Sequence, residues 1–134
     1  MKFQGLPAPP IVRSGERHGV MVIRVDGEVD MDTCDEVRAE LITCLEQRSG
    51  SGGLVLDLGG VTVFGSVGLS LLVEARHRAE RRGVGFAVAT DRRAVLRPLA
   101  ETGVGDLVVL RATVREAAEA ALVVPPVPAS PAGN

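Results

Sequence analysis

Ser66 is the residue of this chain whose type and setting best suit chemistry on a side chain. It follows an extended apolar segment, and it opens a predicted helix with Val67, Leu71, Ala75 and Ala79 at four-residue spacing. A serine at a helix start faces unpaired backbone N–H groups and the positive end of the helix dipole. A phosphate there would add about 1.5 to 2 negative charges at pH 7. Two interpretations stay open: Ser66 is a phosphorylation site, or it only caps the helix.

Two enzymatic interpretations of Ser66 do not fit the surrounding residues. The nucleophile elbow of serine hydrolases needs Gly-x-Ser-x-Gly, and Phe64 stands where the first glycine belongs. The only candidate bases are His18, in a predicted hairpin turn, and His77, inside the helix that Ser66 opens. A phosphate-binding loop needs a Lys before the hydroxyl residue, and the sequence has no Lys after Lys2. We therefore expect no enzyme activity, no catalytic residue and no bound cofactor.

Cys34 and Cys44 are the two cysteines, and both fall in one predicted helix. Ten residues at ~1.5 Å rise separate them by about 15 Å, beyond the ~7 Å Cα limit of a disulfide. We expect no disulfide between them, with any redox role left open. Neither His18 nor His77 stands at a metal-ligand spacing from a cysteine, so no metal site is expected.

The composition argues against nucleic acid and membranes as partners. Single-strand binders stack bases on aromatic rings, and this chain has three Phe, no Tyr and no Trp. Duplex binders need excess positive charge, and the net charge is −2. The longest uncharged stretch, residues 58–73, is shorter than the ~20 residues of a membrane span. We expect a cytoplasmic protein whose partners are proteins.

Strand and helix patterns alternate along the chain. We predict strands at 11–14 and 20–25 around a turn at 15–19, then a loop at 27–30. Asp32 or Thr33 caps a first helix, with Glu36 completing a capping box. A buried strand at 54–58 continues extended through 61–64, and a helix runs from Ser66 to Gly83. The remaining elements are a strand at 86–89, a helix capped by Asp91 that Pro98 kinks or shortens, a strand at 107–110 and a helix capped by Thr113.

This alternation predicts an α/β fold. The sheet is mixed and mostly parallel, with an antiparallel pair at the N-terminus and about four helices packed on it. Proline-rich stretches bound the domain on both sides. We predict a flexible arm at 1–10, one domain at 11–123 and a disordered tail at 124–134. The sequence leaves the oligomeric state open.

Three segments, in order and at matching spacing, resemble the STAS domains of the anti-sigma factor antagonist family. The first is Gly27-Glu28-Val29-Asp30 with Thr33 three residues on. The second runs from Val55-Leu56-Asp57-Leu58 through Val63-Phe64-Gly65-Ser66-Val67-Gly68-Leu69. The third spans Leu99 to Leu107 with Glu101-Thr102-Gly103. The similarity covers about residues 10–122 and implies a single STAS-like domain.

The resemblance also implies a function. In that family an anti-sigma factor that is also a serine kinase phosphorylates the serine matching Ser66. The unphosphorylated antagonist binds this partner and frees a sigma factor, phosphorylation breaks the complex, and a serine phosphatase resets it. The implied partner-binding residues are Glu28, Asp30, Thr33, Gly65, Ser66, Val67, Gly68 and Leu69.

Gly65 departs from the family pattern, which has Asp at this position. The alternative is therefore a STAS module for protein interaction or small-ligand sensing, in which the phosphorylation switch is altered or lost.

Opposite charges concentrate in two parts of the sequence. Residues 26–46 hold eight acids and one base, whereas residues 76–97 hold seven bases and two acids. This asymmetry fits either a docking surface or two solvated helix faces. The resemblance places the loop after the second strand beside Ser66, so a phosphate would add charge to an acidic patch.

Overall fold

The computed structural model describes residues 11–47 and 52–123, as five strands and four α-helices. In chain order these are β1 (Ile11–Arg17), β2 (Val20–Val29), α1 (Cys34–Gln47), β3 (Gly53–Phe64), α2 (Ser66–Arg81), β4 (Gly85–Ala89), α3 (Arg93–Thr102), β5 (Leu110–Arg111) and α4 (Val114–Val123). A 3-10 turn at Val104–Asp106 precedes β5. The arm at 1–10 and the tail at 124–134 lie outside the described residues.

The five strands form one sheet in the order β1-β2-β3-β4-β5. The β1–β2 pair is antiparallel, and the other three pairs are parallel. The prediction of a mostly parallel sheet with an N-terminal antiparallel pair is confirmed. All five residues of β4 are buried, as expected for a central strand covered on both faces.

Side-chain alternation along the strands divides the interior into two cores. Ile23, Leu56 and Val88 face the larger core, which α1, α2 and α3 cover. Val22, Val55 and Ala87 face the smaller core, which α4 covers with alanines. The predicted apolar stripe of α1 is confirmed, since Val37, Leu41, Cys44 and Leu45 are all buried.

The N-terminal hairpin is tighter than predicted. The turn was expected at 15–19, but β1 continues to Arg17 and pairs with Val20. His18 and Gly19 form the turn, both with positive φ (53° and 81°). Positive φ at both central residues is characteristic of the two-residue turns whose twist matches a hairpin.

The prediction of a loop at 27–30 is wrong for most of that segment. β2 continues to Val29, because its parallel pairing with β3 extends through Glu28↔Val63 and Val29↔Phe64. Register shifts within this stretch interrupt the regular side-chain alternation. β2 therefore delivers residue 30 to the level where β3 ends.

The last predicted strand, at 107–110, is present but starts later and is shorter than predicted. α3 ends at Gly103, whose φ of 79° favours glycine, and the chain then makes the 3-10 turn. Only Leu110 and Arg111 pair with β4, opposite Val88 and Ala89. Because the 3-10 turn occupies residues 104–106, the chain reaches β4 only near Val109, whose carbonyl accepts from Val88 N at 2.8 Å.

One expectation about the ends of α3 needs correction. Asp91 does not cap α3: Arg92 takes the N-cap position without a side-chain cap, and its N–H donates to Thr90 Oγ1 at 3.0 Å. Pro98 lies inside α3, which continues past it to Thr102, so the helix does not end there. The kink expected at Pro98 stays a prediction. The Thr113 cap is confirmed, since its Oγ1 accepts from Glu116 N at 3.1 Å.

Cys34 and Cys44 are both buried, and no disulfide joins them. Within residues 11–47 and 52–123, no helix combines the length and apolar character needed to cross a membrane. The same residues contain no group of three or more His, Cys, Asp and Glu side chains placed to hold a metal ion.

Candidate functional site

The carboxyl ends of β2 and β3 bring residues 30–33 against the start of α2. Parallel strands end at the same edge of a sheet, and Val29 is paired with Phe64 there. Gly65 N donates to Val29 O at 2.9 Å, and a Cβ built on Gly65 would lie 3.9 Å from Asp30 Cα. The loop after β2 and the start of α2 are therefore in direct contact.

Ser66 is the first residue of α2 and is exposed. The N-cap position belongs to Gly65, which is extended (φ −83°, ψ −179°) and offers no side-chain cap. The interpretation of Ser66 as a helix cap is therefore wrong. Among the described residues the Ser66 hydroxyl has no hydrogen-bond partner. The N–H groups of Ser66 and Val67 lie in the first turn, where a helix offers them no acceptor.

Thr33 shapes the loop from inside. Its Oγ1 accepts from Asp30 N at 2.9 Å, and the hydroxyl can donate to Glu28 O at 2.8 Å or to Asp30 Oδ1 at 3.1 Å. The predicted capping box is wrong, because this hydroxyl points back toward β2 and Glu36 N bonds to the Thr33 carbonyl. Thr33 is buried, so it positions the loop rather than offering a contact surface.

Replacing Thr33 with Val should destabilise the protein by about 1 to 3 kcal/mol, because buried hydrogen-bonding groups of the loop lose their partner. Urea denaturation followed by circular dichroism measures this free energy of unfolding. Thr43→Val is the matched control: Thr43 is exposed on α1, and we expect a change within ~0.5 kcal/mol. Equal unfolding midpoints for the two variants would show that the Thr33 hydroxyl does not hold the loop.

Gly68 is buried and lies against Phe64. A Cβ at position 68 would come within 2.7 Å of the Phe64 ring, closer than real Cβ contacts. Gly68 therefore lets α2 pack on the end of β3. The eight predicted partner-binding residues differ in exposure: Ser66 is exposed, Glu28, Asp30, Gly65, Val67 and Leu69 are half-buried, and Thr33 and Gly68 are buried.

Two apolar residues beside this contact were not singled out from the sequence. Met31 follows Asp30 in the loop and is 79% exposed, and Val63 near the end of β3 is 44% exposed. The sequence signal for Met31 was an apolar residue that stands between two acids, Asp30 and Asp32. Together with Ser66 they give this edge of the sheet an exposed surface that is apolar as well as acidic.

The acidic and basic parts of the sequence differ in how far they are paired. Asp35 binds Arg38 at 2.6 Å, whereas Asp32 and Glu36 are exposed. On α2, two bases pair within the helix, Arg76 with Glu80 at 3.0 Å and Arg78 with Glu74 at 2.8 Å. The interpretation as a solvated helix face therefore fits these paired bases of α2. Asp32 in the loop and Glu36 in the first turn of α1 remain exposed to a partner.

Glu74 joins α1 to α2. Its two carboxylate oxygens accept from Arg38 Nε of α1 at 3.0 Å and from Arg78 Nε at 2.8 Å. Burial would raise the pKa of the Glu74 carboxyl, but hydrogen bonds from the two arginines hold that pKa below its usual range. The Arg38–Glu74 ion pair therefore fixes the position of α1 relative to α2, the helix that Ser66 begins.

An ion-pair network fixes β2 against β3 on the sheet face opposite α1 and α2. Arg24 Nη1 contacts the buried Asp57 at 3.1 Å, and Arg24 Nη2 contacts Asp26 at 2.9 Å. The hydrogen bond from Arg24 holds the pKa of the Asp26 carboxyl below its usual range. Asp57 also accepts from Gly59 N at 2.9 Å, so this motif residue supports the strand that leads to Ser66.

Comparison with known proteins gives a family and a set of related structures. The family model of the STAS domain matches residues 12–117. An anti-sigma factor antagonist from Mycobacterium paratuberculosis is 30% identical with a TM-score of 0.76, over 87% of this chain and 98% of that chain. No curated protein sequence matches the chain.

Two more distant structures share the fold. The anti-sigma factor antagonist SpoIIAA in its unphosphorylated form is 19% identical, with a TM-score of 0.63 over 80% of this chain and 92% of SpoIIAA. A STAS domain protein from Planctomyces limnophilus is 19% identical, with a TM-score of 0.65 over 81% of this chain and 96% of that protein.

Proposed function

Because this chain belongs to the STAS domain family, we propose that it is an anti-sigma factor antagonist. In this proposal it binds an anti-sigma factor that is also a serine kinase and thereby releases a sigma factor, acting in the cytoplasm without touching nucleic acid. The antagonist from Mycobacterium paratuberculosis, 30% identical over nearly its whole length, supports the role. The observation that carries the proposal is the exposed Ser66 hydroxyl at the start of α2, beside the acidic loop.

Phosphorylation of Ser66 is the proposed off switch. The kinase transfers the γ-phosphoryl group of ATP to Ser66 Oγ. The bond between the γ-phosphorus and the bridging oxygen breaks, ADP leaves, and a base of the kinase takes the hydroxyl proton. An exposed hydroxyl without a competing hydrogen bond is suited to this transfer. The N–H groups of the first turn of α2 can stabilise the phosphate, so the helix need not unfold.

The complex breaks because the modified surface resists burial. Val63, Val67 and Leu69 give the surroundings of Ser66 an apolar component that a partner can cover. A phosphate of about 1.5 to 2 negative charges would have to be desolvated in that contact, close to Asp30. A serine phosphatase would restore the binding form by hydrolysing the phosphoester.

The test is phosphorylation by the anti-sigma kinases of the source organism, with ATP and peptide mapping by mass spectrometry. We expect one kinase to modify Ser66, with the signal abolished in Ser66→Ala. Ser70→Ala is the matched control, because Ser70 is exposed one turn later on α2 and should not be the modified residue. Failure of every kinase to modify Ser66 would refute the switch.

Gly65 favours a second candidate, a STAS interaction module whose switch is altered or lost. The backbone does not require glycine here: its φ is −83°, and the nearest atom to a built Cβ is Val29 O at 3.6 Å. An Asp therefore fits at position 65 without strain, so the departure from the family pattern is one of chemistry rather than of space.

Gly65→Asp separates the two candidates. If the cognate kinase already accepts Gly65, the rate of Ser66 phosphorylation should change by less than about threefold, under ~1 kcal/mol in activation free energy. Gly65→Asn is the control, because it adds the same shape without charge. The steady-state rate of Ser66 phosphorylation by the cognate kinase is measured for each variant. An increase above about tenfold in Gly65→Asp alone would favour the altered switch.

A further inference from the structure

Met31 has the most exposed large apolar side chain among the described residues, at 79%. The others are Val123, Ile11, Leu122, Leu107 and Val63. A single exposed apolar side chain is ordinary on a protein surface, so its position has to decide its meaning.

The position of Met31 is beside the candidate switch. Asp30 and Gly65 are in contact across the edge of the sheet, with the Gly65 Cβ position 3.9 Å from Asp30 Cα. Met31 is the residue after Asp30, and Ser66 is the residue after Gly65. Val63, the other exposed apolar residue in this region, lies opposite Glu28 at the end of the β2–β3 pair.

The backbone on either side of Met31 is held in place. The Asp30 carbonyl accepts from Thr33 N at 3.2 Å and from Cys34 N at 2.9 Å. Asp30 Oδ1 accepts from Asp32 N at 3.0 Å, which closes a turn around Met31. A preorganised loop loses little conformational freedom on binding, while the unbranched Met side chain can adapt to the shape of a pocket.

Acidic residues flank Met31 on both sides in the sequence. Glu28 and Asp30 are half-buried in β2 and the loop, and Asp32, Asp35 and Glu36 are exposed. A buried apolar anchor with a polar rim that excludes water is the usual arrangement of an energetically dominant contact. The charge of the rim specifies the partner, because opposite potentials favour association.

We propose that Met31 is the apolar anchor of the contact with the anti-sigma factor. Its side chain enters an apolar pocket of the partner, and basic side chains around that pocket meet the acidic rim. This inference rests on the proposed function and adds the docking residue and the chemistry of the surface that receives it. Met31 holds this chain, the substrate, on the kinase and takes no part in phosphoryl transfer.

The test uses the full chain and the anti-sigma kinase that modifies Ser66. Isothermal titration should show that Met31→Ala weakens binding by about 10- to 100-fold, the usual range for losing a buried anchor. Met31→Leu, which keeps the apolar volume, should stay within about threefold of the wild type. Leu107→Ala is the matched control, since Leu107 is 47% exposed away from the loop, and its affinity should be unchanged.

A kinetic readout separates docking from chemistry. Met31→Ala should raise KM for Ser66 phosphorylation with little change in kcat, because the reacting atoms are untouched. If the wild type binds the kinase and Met31→Ala binds equally tightly, the anchor is refuted and the proposed function stands. If no anti-sigma kinase binds the wild type and none modifies it, the proposed function fails and the anchor fails with it.

Discussion

Ser66→Asp should weaken binding to the anti-sigma factor by about 100-fold, which corresponds to about 2.8 kcal/mol. The carboxylate places a permanent charge at the first residue of α2, where the partner is expected to cover Val67 and Leu69. A charge desolvated in such a contact without a matching partner costs several kcal/mol. Isothermal titration against the kinase that modifies Ser66 measures the loss.

Two matched variants separate this effect from general acidity and from misfolding. Ser66→Ala should bind like the wild type, because the hydroxyl has no hydrogen-bond partner among the described residues. Thr43→Asp adds the same charge to an exposed site of α1 and should change the affinity by less than about threefold. Equal affinities of Ser66→Asp and Ser66→Ala would contradict the switch.

Gly85→Ala should destabilise the fold by about 3 kcal/mol or more. A Cβ at position 85 would lie 1.9 Å from the carbonyl oxygen of Ala121 and 2.9 Å from its carbon. These are backbone atoms of α4, so the clash is relieved only if the helix moves off the sheet. Gly53, paired with Gly85 on β3, lies under the same residue, with a Cβ position 3.0 Å from Ala121 Cβ.

Urea denaturation measures this second effect. Gly15→Ala is the control, because Gly15 is also a strand glycine but a Cβ there meets nothing within 4 Å. That variant should be neutral or more stable by up to ~1 kcal/mol, since Ala has less backbone entropy to lose. If Gly85→Ala unfolds at the same urea concentration as the wild type, α4 does not pack on the sheet as closely as described.

Local sequence patterns predicted the elements that pack against the core along their whole length. The apolar run Leu54–Leu58 identified β3, because a strand buried on both faces is apolar at nearly every position. The four-residue spacing after Ser66 identified α2, because burying one face of a helix imposes a regular period. A last strand was predicted at 107–110, but the bounds of β5 are Leu110 and Arg111, because the chain reaches β4 only after the 3-10 turn at residues 104–106. The 3-10 turn at residues 104–106 follows directly from the end of α3, and the sequence did not predict this turn.

The resemblance named the residues of the candidate site, but the sequence did not predict their geometry. The resemblance singled out Ser66 and the loop after the second strand, and the structure brings them into contact through Gly65 and Val29. Thr33 was misjudged because a capping box is a local pattern, whereas its hydroxyl bonds are set by the extension of β2 beside β3. Met31 was missed because its exposure depends on that same loop geometry.

The most direct test of the switch compares one protein sample in two states. The chain is phosphorylated to completion at Ser66 by its kinase, and its affinity for the same kinase is measured before modification, after it, and after phosphatase treatment. We predict a loss of about 100-fold on phosphorylation and full recovery on removal of the phosphate. Equal affinity in all three states would contradict Ser66 as the control point of this protein.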